Sequence, residues 1–215
     1  FAKKHKLPTD WPAQFYRQWT QKAALLNARV LVPKLTTEAR YSQKENLAAP
    51  KKVGTKLSLF NCVTCDKCVP VCPNNANFTY TLPQTEIPVT RAKWGNGKWS
   101  QTQISKLIFN KKHQIANFSD FCNECGNCDV FCPEDGGPYV MKPRFFGSLE
   151  TWKQLKNYDG FYLERADGGY SVWGRFEGQE YFLQTSKTGP ATFEGAGFSL
   201  TVDEKDSALT LASKS

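Results

Sequence analysis

The chain has 215 residues, 40% of them hydrophobic and 13% aromatic, which is enough to bury the core of one or two domains and excludes an intrinsically disordered chain. It contains no apolar run of about 18 residues, so we expect no membrane span, and no export signal near its start, so we expect a cytoplasmic protein. The net charge of +8 belongs to residues 1–60, which carry 12 Lys and Arg against 3 Asp and Glu.

The N-terminal segment is predicted to form one helix followed by an irregular linker. Residues 9–12 combine a Thr or Asp cap with an early proline, which is typical of a helix start. The helix should end near Val30, before Pro33, and residues 34–58 lack a regular period. Because the segment is basic, we expect it to contact an acidic face of a partner if it is not simply solvated. The apolar stripe of the helix consists of Trp11, Phe15, Trp19, Ala23 and Leu26.

Two later regions are predicted to contain β-strands. The first holds a strand at 78–82, a tight Asn-Gly turn at 94–99, and a hairpin between 107–109 and 115–118. The second is 160–212, where hydrophobic and polar residues alternate and glycine-containing pairs separate the runs. This alternation predicts short antiparallel strands joined by hairpins.

All eight cysteines fall into two copies of C-x2-C-x2-C-x3-C-P, the run that holds 4Fe–4S clusters in bacterial ferredoxins. Three cysteines at i, i+3 and i+6 let a tight loop present three thiolates, while the fourth ligates the other cluster. We expect this fourth cysteine to open a helix with the proline in its first turn. Compact loops at Val63, Thr64 and Gly126 should aim backbone N–H groups at the cluster sulfurs. The predicted ligands are Cys62, Cys65, Cys68 and Cys132 for cluster 1, and Cys122, Cys125, Cys128 and Cys72 for cluster 2.

Other interpretations of the cysteines explain the pattern less well. Four disulfides need an oxidising compartment. Structural zinc takes paired CxxC knuckles, which leaves the third cysteine of each run and the two Cys-Pro endings unexplained. His5 and His113 are read as ordinary surface residues. The sequence contains no nucleotide-binding fingerprint and no nucleophile motif, so we predict no catalytic residues.

The residues around the motifs resemble a known family. From Cys65 to Asn77, from Phe121 to Pro133 and at 136–139, the chain is similar to the C-terminal ferredoxin domain of large FAD- and NAD(P)H-dependent oxidoreductases. These enzymes are related to the glutamate synthase small subunit and include selenate-reductase and urate-reductase-like proteins; dihydropyrimidine dehydrogenase is more distant in architecture. The resemblance covers about 62–80 and 115–146 and carries over only the eight cysteines. It implies that FAD and NAD(P)H lie on partner domains and not on this chain.

Together these patterns predict an α+β fold, with a bacterial-type two-cluster ferredoxin-like core at 58–146 that contains an insertion at about 78–114. A basic helical lead and linker at 1–57 precede the core, and a small antiparallel β appendage at 147–215 follows it. Because the chain begins at Phe1 and its only methionine is Met141, we expect it to belong to or derive from a longer polypeptide.

The predicted function is to relay single electrons between a flavin/NAD(P)H domain and a redox partner or substrate site, as part of a larger oxidoreductase. Two alternatives stay open. The chain could be an independent ferredoxin-like subunit of a multi-subunit dehydrogenase. It could also use its clusters structurally in a nucleic-acid-binding protein, although no nucleic-acid-binding fold is recognised and nucleic acid is not an expected partner.

Overall fold

The computed structural model describes residues 13–96, 98–166, 168–187, 189–202 and 209–212. Within these residues a long helix precedes a large mixed sheet and a separate two-stranded ribbon. The helices are α1 (Ala13–Thr37), α2 (Asn127–Val130), α3 (Pro138–Met141) and α4 (Leu149–Gln154). The strands are β1 (Asn77–Thr81), β2 (Thr85–Gly95), β3 (Lys98–Phe109), β4 (His113–Phe118), β5 (Arg144–Phe146), β6 (Gly160–Ala166), β7 (Gly169–Phe176), β8 (Gln179–Gln184), β9 (Ala191–Gly195), β10 (Phe198–Val202) and β11 (Leu209–Ala212).

Helix α1 is longer than its sequence predicts. It continues through Pro33 to Thr37, so the expected end near Val30 is wrong. Proline removes one N–H from the ladder, but the ladder resumes beyond it, where the amide of Glu38 donates to the Lys34 carbonyl at 2.9 Å. The predicted start at 9–12 lies outside the described residues. No helix in the described part of the chain is long and apolar enough to cross a membrane.

The apolar stripe of α1 faces the end of strand β4. Trp19, Ala23 and Leu26 line a groove together with Phe118 and Phe121. The helix therefore lies beside the segment that leads into the second cysteine motif. The side chains of Trp11 and Phe15, which complete the predicted stripe, lie outside the described residues.

The nine-stranded sheet joins the cysteine region to the C-terminal strands. Its order is β1-β4-β5-β6-β7-β8-β9-β10-β11, with parallel pairing at β4–β5 and β5–β6 and antiparallel pairing elsewhere. The strand predicted at 78–82 is confirmed as β1. The alternating runs predicted in 160–212 are confirmed as strands β6, β7, β8, β10 and β11, while β9 was not predicted. Because β6 pairs with β5, these strands extend the same sheet as β1, which follows the first cysteine motif, and β4, which precedes the second.

Strands β2 and β3 form a two-stranded ribbon that pairs with no other strand of the described chain. Trp94 pairs with Trp99 across the turn, as predicted. The expected hairpin between 107–109 and 115–118 is wrong, because Phe109 pairs with Thr85 in the ribbon and Ile115 pairs with Thr79 in the large sheet. The turn folds β3 back along β2, so the residues between β3 and β4 cross from one sheet to the other.

The end of the linker is fixed against the end of the second cysteine motif. The amide of Val53 donates to the Pro133 carbonyl at 2.8 Å, and the amide of Leu57 donates to the Asp135 carbonyl at 2.8 Å. The amide of Asp135 in turn donates to the Thr55 carbonyl at 2.9 Å. These bonds bring Leu57, which is 3% exposed, into the core beside both cysteine motifs.

Candidate metal centres

The two cysteine loops share one backbone conformation at matching positions. The second residue after the first cysteine is left-handed in both, with φ of 53° at Thr64 and 56° at Glu124. The fourth residue is also left-handed, with φ of 58° at Asp66 and 78° at Gly126. Left-handed residues reverse the chain sharply, so each loop curls between its cysteines. The amide of Thr64 donates to Cys62 Sγ at 3.4 Å, as expected for a compact loop.

The fourth cysteine of each run does not open a helix, so that prediction is wrong. After Cys72 the chain turns at the left-handed Asn75 and enters β1, and the amide of Ala76 donates to Cys72 Sγ at 3.2 Å. After Cys132 the backbone is bonded to the linker through Asp135, and α3 begins only at Pro138. In both runs, backbone bonding to a neighbouring segment overrides the helix-start preference of the Cys-Pro pair.

Four cysteines drawn from both motifs surround one cavity. The cavity has an empty volume of about 310 Å³, including the space at its open side, and its walls include the apolar side chains of Leu57 and Ile115. Two of its cysteines are buried, one is half-buried and one is exposed. The structure therefore brings the fourth cysteine of the second motif to the triad of the first. The cysteines that line the cavity are Cys62, Cys65, Cys68 and Cys132.

Two of the remaining cysteines lie near Cys128. Burial raises the pKa of the Cys128 thiol, and the nearby Cys122 and Cys72 raise it further. Cys72 of the first motif is thus within electrostatic reach of the second triad. Cys125, the third member of that triad, is exposed on the same loop.

The two groups meet at Cys68 and Cys128, which lie in one buried cluster with Ile115. Burial raises the pKa of the Cys68 thiol, with proximity to Cys128 as the next cause. Without bound metal both thiols therefore stay protonated at neutral pH, and a metal must displace their protons to bind.

A pair of buried amides connects the two groups. The Asn77 side chain donates to the Cys68 carbonyl at 2.9 Å, and its proximity to Cys128 lowers the pKa of that thiol. Asn117, fully buried opposite it in β4, donates its side-chain N–H to Asn77 Oδ1 at 2.9 Å and fixes the amide in place. Asn77 stands in the Asn-Ala-Asn stretch that carried the family resemblance, but the sequence does not indicate its contacts.

A buried carboxylate lies on the wall of the first cavity. Glu134 is 7% exposed and accepts hydrogen bonds from the Val63 amide at 2.9 Å and from the Thr55 hydroxyl at 3.0 Å. The bond to Val63 ties the carboxylate to the first cysteine loop. The same bond gives the buried carboxylate a hydrogen-bond donor, without which its burial would be costly.

A buried ammonium group lies on the same wall. Lys142 is 3% exposed, and burial lowers the pKa of its ammonium group, while the Cys62 thiol and Glu134 act in the opposite direction. Its Nζ donates to the Ser58 carbonyl at 2.8 Å. Sequence reasoning missed this residue; its only sequence signal is that it is one of two charged residues, with Arg144, inside the otherwise mostly apolar stretch 138–146.

The cysteines around the first cavity offer the kind of donor set that a cubane cluster takes. Within the described residues no group of three or more His, Cys, Asp or Glu side chains is arranged to hold one metal ion. Ligands of a cubane instead bind different iron atoms at separate corners, so they line a cavity and do not converge on a point. A ring of cysteines around a largely apolar cavity, with backbone N–H groups directed at sulfur, has that character.

Comparison with known proteins gives a partial similarity. Over 100 residues, which are 46% of this chain, the sequence is 32% identical to the protein named "Putative oxidoreductase YgfK" of Escherichia coli K12, and equally to its namesake in Escherichia coli O157:H7. The matched stretch covers 7% of each relative, so this chain spans only a small part of their length. No protein-family model and no solved structure matches the chain. The chain is thus similar, over nearly half its length, to part of a protein named as an oxidoreductase.

Proposed function

We propose that this chain is an electron-transfer module with a two-cluster ferredoxin-like core at 58–146. One 4Fe–4S cluster would be held by Cys62, Cys65, Cys68 and Cys132, and the other by Cys122, Cys125, Cys128 and Cys72. The observation that carries the proposal is the cavity shared by the first triad and Cys132, because a fourth ligand from the other motif is characteristic of two-cluster ferredoxins. Two self-contained metal knuckles would instead group the cysteines of a single motif.

The protein's own residues supply the environment such clusters need. A 4Fe–4S cluster, when bound, accepts and releases single electrons at a potential set by hydrogen bonds to its sulfurs, burial and charge. The amides of Thr64 and Ala76 donate to cysteine sulfurs. The side chains of Leu57 and Ile115 keep the first cavity largely apolar. Asn77 and Asn117 hold the two groups together through the core.

The proposed partners are a flavin-containing domain or subunit and a second redox protein or substrate site. The similarity to part of a protein named as an oxidoreductase supports a redox setting. FAD and NAD(P)H would lie on the partner, and two one-electron centres would let a two-electron carrier deliver its electrons one at a time. We propose the cytoplasm as the compartment, because its reducing conditions keep cysteines available as cluster ligands.

The test is reversible reduction of anaerobically purified protein. Titration with dithionite should deliver about two electrons per chain, one for each cubane, and produce the EPR signals of reduced clusters. Reoxidation should restore the starting absorbance. Replacing an exposed ligand in each loop separately, Cys65→Ser or Cys125→Ser, should alter one signal each. Absence of any reducible chromophore after anaerobic reconstitution with iron and sulfide would contradict the proposal.

A further inference from the structure

We propose that Lys142 raises the reduction potential of a cluster held by the first cysteine group. This inference rests on the proposed function and assigns to one residue a part in setting the potential of one centre.

The position of the Lys142 ammonium is fixed by the loop that precedes Cys62. Its Nζ donates to the carbonyls of Ser58 at 2.8 Å, Asn61 at 3.4 Å and Leu59 at 3.5 Å. Lys142 also lines the same cavity as Cys62, and the nearby Cys62 thiol acts to raise the pKa of the ammonium group. With the side chain 3% exposed and held by several acceptors, the positive charge has little freedom to move away from the sulfur.

Glu134 faces the same cavity but is engaged differently. Its carboxylate is bonded to the Val63 amide and the Thr55 hydroxyl, whereas the Lys142 ammonium donates to backbone carbonyls. Both charged side chains line the same cavity without a direct ion pair. Removing the lysine alone would therefore leave a buried negative charge beside the first group.

A second lysine strengthens the positive charge around Cys62. The Lys111 ammonium donates to the Cys62 carbonyl. Cys62 therefore lies near two cations, one bonded to its carbonyl and one on the wall of the same cavity. Lys111 is only partly buried, so its charge is better screened by solvent than that of Lys142.

The corresponding cation beside the second group is neutralised. Arg144 is buried, but its guanidinium pairs with the Glu124 carboxylate at 3.0 Å and lies over the Tyr158 ring at 4.4 Å. Glu124 belongs to the second cysteine loop itself. The buried positive charge there is paired with a carboxylate, whereas that of Lys142 is held by carbonyls on the wall of the cavity that Cys62 lines.

Reduction adds one negative charge to a cluster, and a nearby buried cation stabilises that added charge. We therefore expect loss of the Lys142 charge to lower the ratio of reduced to oxidised cluster 1 at a fixed potential by about tenfold. For a one-electron couple this equals a shift of about 59 mV towards more negative values. The second group, whose adjacent cation is already paired, should change much less.

The experiment is a redox titration of the whole chain followed by EPR, with Lys142→Met as the main variant. The cluster 1 signal is assigned as the one that changes in Cys65→Ser. Lys106→Met is the matched control, because Lys106 is an exposed lysine of the ribbon paired with Glu86 at 2.7 Å. Iron and sulfide are measured in the unsubstituted protein and in every variant. If the unsubstituted protein bound no cluster, the proposed function itself would be contradicted, and this outcome is distinct from a failure of the inference about Lys142.

The expected result is a cluster 1 potential that becomes more negative in Lys142→Met, with cluster 2 and the control unchanged. Equal shifts of both clusters, or no shift in a fully loaded variant, would overturn the inference. If Lys142→Met does not assemble cluster 1, Lys142→Gln decides, since it keeps N–H donors for the carbonyls but removes the charge. Failure of Lys142→Gln to assemble the cluster would also overturn the inference, because Lys142 would then be a structural residue and not one that sets potential.

Discussion

The two cysteine loops have the same backbone but different surroundings. Both reverse direction at left-handed residues in matching positions. The first loop then packs against the buried charges of Glu134 and Lys142, whereas the second carries the exposed Glu124, which pairs with the buried Arg144. Cysteine spacing therefore determines the local turn, while residues distant in the sequence determine the electrostatic environment. Two motifs that look equivalent in sequence need not be equivalent in redox behaviour.

The largest effect should come from replacing the fourth cysteine of one motif or of the other. Cys132→Ala should remove the cluster of the first triad, because Cys132 lines that cavity. Cys72→Ala should instead remove the cluster of the second triad, since Cys72 lies near Cys128. Each variant should retain about four of eight iron atoms, on one cubane per four cysteines. EPR of the two variants should show complementary signals. If Cys132→Ala instead removed the cluster of the second triad and Cys72→Ala that of the first, the two motifs would be separate units.

A smaller effect should follow from removing the carboxylate of the second loop. Glu124→Ala leaves the Arg144 guanidinium, whose side chain is 7% exposed, without its charged partner. We expect a loss of about 2 kcal/mol in the free energy of unfolding, since a buried charge without a partner is costly. Anaerobic urea denaturation of the cluster-loaded protein measures it.

Thr64→Ala is the matched control, because Thr64 occupies the same left-handed position in the first loop. Its half-buried side chain forms no ion pair in the described structure, so we expect a loss of at most about 1 kcal/mol, the centre of the range for single substitutions. Equal losses in the two variants would show that Glu124 acts through the turn and not through Arg144.

The smallest effect should distinguish the fourth positions of the loops. Gly126→Ala should lower the free energy of unfolding by about 1 kcal/mol. The reason is that φ is 78° there, and the left-handed region is less favourable for an L-residue by about that amount. An added Cβ would meet no atom within 4 Å, so the cost is conformational and not steric.

The reverse change, Asp66→Gly, should be close to neutral. It relieves the same conformational cost, φ being 58°, but loses the contact between the Asp66 carboxylate and His113 Nε2 at 2.7 Å. Denaturation midpoints of the two variants measure the difference. A strong loss in Asp66→Gly would show that the contact with His113 holds the first loop in shape.

The sequence predicts what depends on short-range pattern. The alternation in 160–212 indicated the strands, because one face of each is more apolar than the other. Strand β9 was missed because its five residues include only one large apolar side chain, Phe193. The hairpin expected between 107–109 and 115–118 was wrong because β3 pairs with β2 and not with β4. The sequence alone does not indicate which strand is the partner of β3.

The environment of the cysteines could not be predicted from the sequence for the same reason. Lys142 is held by carbonyls more than 80 residues earlier in the chain, and no local pattern reports such a contact. The proposed grouping of cysteines was reachable because the spacing of each run limits which iron corners its thiolates can reach. Whether those thiolates hold clusters remains a prediction.

The most direct measurement is the iron and acid-labile sulfide content of anaerobically purified, reconstituted protein. The account predicts about eight iron and eight sulfide per chain, four of each for every group of four cysteines. Zinc at about two ions per chain without sulfide would contradict it, because zinc takes four cysteines per ion and carries no electrons.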